Sequence, residues 1–308
     1  MTALLKPLLH RAAELAALLF GITTLLFFLL RLSGDPASII AGEQATPELL
    51  AEIRAAYGFD RPVWVQYLLY MGSVLRLEFG RSIANDLPAL LMVTERLGPT
   101  LLLALLALLM TLLLAVPLGA WLGMRPDAPA RRAVSGAVFI AQGIPGYVVG
   151  LLLIQLFAVH LGWLPSIGAE DPRAWILPSA TLAAFLAPKL TRVLAANVAE
   201  ALREDHIRTA RAHGAPPLVI LLRHALPNAL LGATALVGTQ FAFLISGALT
   251  TEVIFAWPGL GQLLVASVQV LDFPVVQAAV FVIAVLVFAV NGVTDVLFRL
   301  IDPRLRGR

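Results

Sequence analysis

The sequence contains no cysteine, so disulfides and thiolate-bound metals are excluded and cysteine usage says nothing of the redox compartment. Charge is scarce: Asp, Glu, Lys and Arg make up 13% of the 308 residues, where a soluble domain carries about 25%. Lysine occurs only at Lys6 and Lys189, after Leu5 and Pro188, so no G-x-x-x-x-G-K-[ST] phosphate-binding loop exists. The five histidines, at 10, 160, 206, 213 and 224, fall in no metal-ligand spacing. Neither H-E-x-x-H, paired intramembrane aspartates nor a Ser/His pair marks a hydrolase. Gly259-Leu260-Gly261 continues as Gln262-Leu263-Leu264, fails the dinucleotide fingerprint and reads as a turn. Aromatic and basic residues do not interleave as on an RNA-binding surface. The chain is expected to hold no catalytic residue, no metal and no bound cofactor, and to bind no nucleic acid.

What is present is apolar. Hydrophobic residues are 59% of the chain and the mean hydropathy is +0.88, the composition of an integral membrane protein. A helix needs about 20 apolar residues to cross a bilayer. Residues 97–124, 133–169, 225–251 and 273–294 carry no charge and are each long enough. Residues 12–30 make a first span despite Glu14, and 174–195 a fourth, interrupted by Pro178, Pro188, Lys189 and Arg192. These are six spans of an all-α polytopic membrane protein. The first resembles a signal peptide in having Lys6 and Arg11 ahead of an apolar run, but no small-x-small cleavage site follows it.

With the N-terminus inside, residues 1–11, 125–132, 189–224 and 299–308 face the cytoplasm and hold fifteen of the 22 basic residues. Both termini are therefore expected in the cytoplasm. The long outer segment has its own punctuation. In TPELLAEIRAAYG, Thr46 stands as N-cap, Pro47 at the first helical position and Gly58 past the end. Leu49, Leu50, Ile53 and Tyr57 share one face of this amphipathic helix. RPVWVQYLLYMGSVL predicts a second helix.

Between spans four and five lies RTARAHGAPPLVILLRHALPNAL (208–230), a basic, proline-broken stretch. Residues 199–213 predict a short helix with Leu202, Ile207 and Ala210 as a modest apolar stripe, and Glu204 four residues ahead of Arg208 for an intrahelical pair. Gly214 is placed to end that helix in the left-handed region; Pro217 sits in the first turn of the next, which runs through Arg223 into span five. Two readings follow: a loop whose charges hold the topology, or a helix offered to a soluble partner.

The same residues resemble the EAA motif of bacterial ABC importer permeases, a glycine followed after nine residues by I-x-L-P. Here Gly214 is followed after nine residues by His224-Ala225-Leu226-Pro227. RTARAHG departs from E-A-A, with Arg208 for Glu and Thr209 for the first Ala, in the manner of the dipeptide/oligopeptide/nickel branch. SGDPA (33–37), YGFDRPVWVQY (57–67), TEVIFAWPGLGQLL (251–264), DFPVVQ (272–277) and IDPR (301–304) are similar to the first permease subunit of that branch. LEFGRS (77–82) departs where family members more often carry Gly-Asp before Phe-Gly.

The resemblance implies a type I importer permease fold (MetI-like). The first span would lie in 1–31, an extracytoplasmic loop in 32–96, spans two to six in 97–300 with a coupling segment at 196–224, and a cytoplasmic tail at 301–308. It implies one half of a pore for di- or oligopeptides in the bacterial cytoplasmic membrane, relatives carrying nickel complexes, haem, glutathione-like peptides or oligosaccharides. Its partners would be a second homologous permease, two ATPase subunits that use ATP and magnesium, and an outer solute-binding protein. Arg208 and Arg211 would meet an ATPase, oriented by Glu204 and Asp205, with Thr209, Ala210, Gly214 and Pro227 completing the motif.

An ion-coupled carrier usually needs intramembrane ionisable groups, which spans two, three, five and six lack. Asp295, four before Arg299, reads as an interfacial pair, and Lys189 and Arg192 as snorkelling to the inner surface. The solute path falls to the neutral polar residues Gln142, Gln155, Thr239, Gln240, Ser246 and Asn291, which equally well bond across helices. IPGYVVG (144–150) and AWPGLG (256–261) supply the breaks to bend helices around it.

Overall fold

The computed structural model describes residues 2–32, 34–41, 45–125 and 129–301. Their regular elements are helical, beside one isolated bridge between Arg81 and Pro88. In chain order they are α1 (Thr2–Leu32), α2 (Pro36–Ala41), α3 (Pro47–Tyr57), α4 (Val63–Leu75), α5 (Ala89–Met124), α6 (Pro129–Gly143), α7 (Gly146–Leu153), α8 (Ile176–Ala201), α9 (Asp205–Ala212), α10 (Pro217–Ile220), α11 (Leu226–Ile254), α12 (Leu260–Gln269) and α13 (Phe273–Ile301).

Four stretches are long and apolar enough to cross a membrane: Leu9–Leu32, Ala89–Met124, Pro172–Ala201 and Phe273–Val296. A fifth, Pro217–Thr234 with Leu236–Ile245, bends by 47°. The third expected span differs from its charge-free extent of 133–169. Pro145 takes φ −56° and ψ 137° and has no N–H to give, so α6 stops at Gly143 and α7 starts afresh at Gly146. α7 passes into a π-helical stretch, Ile154–His160. The combined length of 15 residues is about 22 Å, against about 30 Å of hydrocarbon.

The chain divides into two compact units, residues 1–98 with 263–288, and 99–262 with 289–308. In the first, α1 lies on α4: Phe27 meets Tyr67 and Tyr70 with ring centroids 5.4 Å away in each case, and Thr24 shares a 2.8 Å hydrogen bond with the Tyr67 hydroxyl. Arg31 stacks on Phe27 and donates to Gln66, so its charge is not left bare beside the aromatic cluster. α3 has the ends its sequence specifies. Thr46 Oγ1 accepts from Leu49 N at 3.3 Å, and Gly58 at φ +68° lets Phe59 N reach the Arg54 carbonyl at 2.8 Å. The Arg54 guanidinium, 2.6 Å from Asp35, holds that carboxyl below its usual range.

The loop ahead of α5 is closed by Asp272. Its buried carboxylate accepts from the Ser82 hydroxyl and from Ile83 N at 3.1 Å, while Phe79 packs on Phe281. Leu77 stands at φ +60°, where glycine would cost nothing and an L side chain costs about 1–2 kcal/mol. This is the position at which LEFGRS departs from the family's Gly-Asp.

In the second unit α8 is the core helix, with Leu177, Leu182, Leu186, Leu190, Leu194 and Val198 buried along it. In lipid such packing is driven by close contact more than by apolar transfer, and small residues allow it. A Cβ on Gly119 or Gly123 of α5 would stand 2.7 Å from Leu194 Cβ or 2.6 Å from Val198 Cβ. α8 and α11 run antiparallel: Asn197 Nδ2 donates to the Ala229 carbonyl at 3.1 Å, and Leu190 and Leu194 pack with Ala233, Leu236 and Val237.

Candidate functional site

The basic segment is built differently from the single helix 199–213 that its sequence predicts. α8 persists to Ala201, and Arg203 and Glu204 close tight turns through bonds to the Glu200 (2.9 Å) and Ala201 (3.1 Å) carbonyls. Glu204 is extended at φ −68°, ψ 154° and caps α9 rather than lying inside it. That removes it from the helical surface, so the expected Glu204–Arg208 pair does not form. Glu204 instead lies 3.1 Å from His206 Nδ1, and Arg208 donates to Asp205 at 3.2 Å.

Ile207 is wholly buried and anchors α9, with Leu202 and Ala210 half-buried beside it. Glu204, Asp205, His206, Arg208, Thr209 and Arg211 are all exposed. The far end is closed at glycine by two hydrogen bonds: Gly214 N, at φ +78°, donates to Arg211 O at 2.9 Å, and Ala215 N to Ala210 O at 3.2 Å. Nothing lies within 4 Å of a Cβ placed on Gly214, so its backbone angle alone demands glycine. Pro216 cannot continue α9, and Pro217 opens α10.

α10 runs into α11 through a π turn, Leu221–Ala225, in which Leu226 N reaches back to Leu221 O. Pro227 explains the widening: it has no N–H for the Arg223 carbonyl, and its ring pushes on that turn. The His206 and His224 rings stand 6.5 Å apart, bringing α9 back beside this turn.

Higher on α8 and α11 lies a cavity of about 350 Å³, within the range of small-molecule sites. Tyr147 of α7, Thr181 and Phe185 of α8, and Gln240, Phe243 and Thr250 of α11 line it together with Gly146, Leu182, Leu244, Gly247 and Thr251. Of the four expected path residues whose side chains are described, only Gln240 is here. Gln155 and Asn291 are exposed elsewhere, and Thr239 is exposed with its hydroxyl turned to Leu236 O at 3.1 Å. The side chains of Gln142, Ser246 and Arg299 lie outside the described residues. Sequence reasoning missed Thr181, Thr250, Thr251 and Tyr147, although 240, 243, 244, 247, 250 and 251 repeat at helical spacing and so form one face.

It also missed Glu252, the first charge after the apolar run of span five. The residue is fully buried, and its oxygens accept from Thr100 Oγ1 (2.7 Å), Gly261 N (2.6 Å) and Gln262 N (3.3 Å). Thr100 Oγ1 in turn accepts from Leu260 N at 2.8 Å, and Trp257 Nε1 donates to Pro99 O at 2.9 Å. The turn of AWPGLG is thus folded around a carboxylate. A Cβ on Gly259 would collide with that carboxylate, and one on Gly261 would stand 2.5 Å from Leu249 Cα. A legible signal existed in a lone acid followed closely by glycines, whose N–H groups are accessible to it.

The family of binding-protein-dependent transport system inner membrane components matches residues 115–307, and its N-terminal counterpart residues 4–104. The chain is 37% identical to the glutathione transport system permease protein GsiC of Salmonella choleraesuis (strain SC-B67), over 98% of this chain and 99% of that protein. It is 36% identical, with the same coverage, to the protein of that name from Escherichia coli (strain K12). Among solved structures it is similar to the inward-facing MetNI methionine ABC transporter, with TM-score 0.56 and 22% identity over 70% of this chain and 98% of that one. An amino acid ABC transporter crystallised with histidines gives TM-score 0.53 and 19% identity over 68% and 93%. At these identities the structures bear on the fold alone.

Proposed function

We propose a role that proceeds from one established premise: the chain belongs to the family of binding-protein-dependent transport system inner membrane components. It is a multi-pass permease subunit of a bacterial inner-membrane ABC importer, it performs no catalysis, and ATP is hydrolysed by a separate subunit. In our reading it forms half of the pore for di- or oligopeptides, paired with a related second permease. Two ATPases, using ATP and magnesium, dock inside, and a solute-binding protein delivers from outside. The name of the glutathione permeases supports a peptide-like solute. The basic distribution supports a cytoplasmic position for both termini.

One observation carries the coupling role: α9 buries a single anchor, Ile207, and exposes every charge around it. A helix held at one point and polar elsewhere is a docking element, its Gly214 turn fixing the angle at which it is presented. On this reading Arg208 and Arg211 contact the ATPase, Asp205 orients Arg208, and Glu204 stands at the N-cap position with its carboxylate beside His206. The test is to tag the chain at its C-terminus, extract it in mild detergent and identify what co-purifies. A second permease together with one or two proteins bearing phosphate-binding loops supports the assembly. Purification only with itself, even with the ATPases overproduced, refutes it and revives an ion-coupled carrier.

A further inference from the structure

We infer that the cavity between α7, α8 and α11 is a solute half-site for a small carboxylate-bearing molecule, and that Lys189 is the residue that sets this charge preference. The inference rests on reading the chain as a solute pore, and adds to it the chemistry that the pore selects.

Lys189 is one of only two lysines in the chain. Its Nζ sits 4.7 Å from the centroid of the Phe185 ring, and that ring lines the cavity. The contact holds an ammonium against Phe185, four residues back on α8, whose ring lines the cavity. A lysine in that place is half-buried, whereas Arg192, three residues on, is exposed.

The antiparallel pairing of α8 and α11 sets the height of the charge. Asn197 bonds to the Ala229 carbonyl, and Leu190 packs at the level of Leu236 and Val237. Carrying that register upward places Lys189 within roughly one turn of Gln240, at about 1.5 Å per residue. The cavity therefore has the Gln240 amide toward one end, with the Lys189 ammonium outside it against the lining Phe185 ring, and the hydroxyl residues Thr250 and Thr251 toward the other, with Tyr147 and Phe243 also lining it.

No acid is among the lining residues, and Glu252, next to Thr251, has its carboxylate turned into the cage of Thr100, Gly261 and Gln262. A solute with a carboxylate and neutral amides finds a partner for each group here. A cationic solute meets the Lys189 ammonium as repulsion, and an anionic one as attraction.

The absence of native cysteine makes a direct test possible. Gly247 lines the cavity and a Cβ there meets nothing within 4 Å, and the same holds for Gly146. Gly247→Cys, with Gly146→Cys as a second site, is to be made in the full chain within its purified importer complex in proteoliposomes. Labelling of this chain by anionic 2-sulfonatoethyl and cationic 2-trimethylammonioethyl methanethiosulfonate is then followed by mass spectrometry. Lys189→Gln should shift the anionic-to-cationic rate ratio toward the cation by about tenfold, and Lys189→Arg should restore it. A ratio indifferent to Lys189, or cysteines inert to both reagents at both sites, overturns the inference. Peptide uptake by the same vesicles is read separately: a Lys189-dependent ratio without peptide uptake leaves this half-site standing and removes peptides as its cargo.

Discussion

Two turns in this chain use proline and glycine to reverse direction, and they treat charge in opposite ways. Between α11 and α12, AWPGLG wraps a carboxylate of zero exposure, and the hydroxyl of Thr100 and two backbone N–H groups meet it. Between α9 and α10, AHGAPP follows a helix whose acids and arginines are all exposed, paired only with near neighbours. A buried charge survives only when it is hydrogen-bonded or paired, as Glu252 is by its own chain. A solvated charge can be kept for a partner that arrives later. The first turn is internal architecture; the second follows a helix whose charges stay in solvent.

That contrast makes unequal demands on substitution. Glu252→Ala leaves Thr100 Oγ1, Gly261 N and Gln262 N without their acceptor. The expected loss is about 3–5 kcal/mol, seen as a fall in the amount of folded chain extracted from membranes and in its unfolding temperature in detergent. Wild-type stability of this variant would mean that the buried carboxylate is not what holds the turn.

Gly214→Leu forces a side chain into φ +78° with open space around it, a strain of about 1–2 kcal/mol. The chain should reach the membrane at wild-type level while uptake falls at least tenfold and ATP hydrolysis persists. Normal uptake at normal level removes Gly214 from coupling. Leu77→Gly probes the reverse case, relief of strain at φ +60°. It should raise stability by up to about 1 kcal/mol, once the extra freedom of glycine in the unfolded chain is subtracted. A lowered unfolding temperature would show that the leucine side chain contributes more than its backbone costs.

Arg211→Ala should be the mildest, within about 0.5 kcal/mol of wild-type stability as a surface change. Its effect belongs in a salt-dependent weakening of ATPase subunit association during co-purification. A large stability loss with association unchanged would make Arg211 structural and blur the distinction between the two turns.

Much of the fold was legible because local chemistry fixes it. Thr46, Pro47 and Gly58 specified α3, and Gly214 with Pro216 and Pro217 specified where α9 ends and α10 begins. Charge-free runs located α5, α11 and α13, since backbone groups in lipid must bond within a helix. Periodicity could not place the break at Gly143–Pro145 inside a run without charge, nor the π turn ahead of Pro227. At the site, punctuation marked the exposed, glycine-ended helix α9, whereas of the four path candidates whose side chains are described only Gln240 lines the cavity and Gln155, Thr239 and Asn291 do not.

The sequence by itself determined the class of molecule, the ends of α3 and the glycine turn that ends α9, because composition, capping and proline stereochemistry act over a few residues. Only the tertiary structure decided that Glu252 is caged, that Asp272 closes the loop ahead of α5 on Ser82, and that Lys189 stands over Phe185, whose ring lines a cavity. Two of these contacts join residues far apart in the chain, at 152 and 190 positions, and all three depend on where helix packing sets one side chain against another. No local pattern encodes that register.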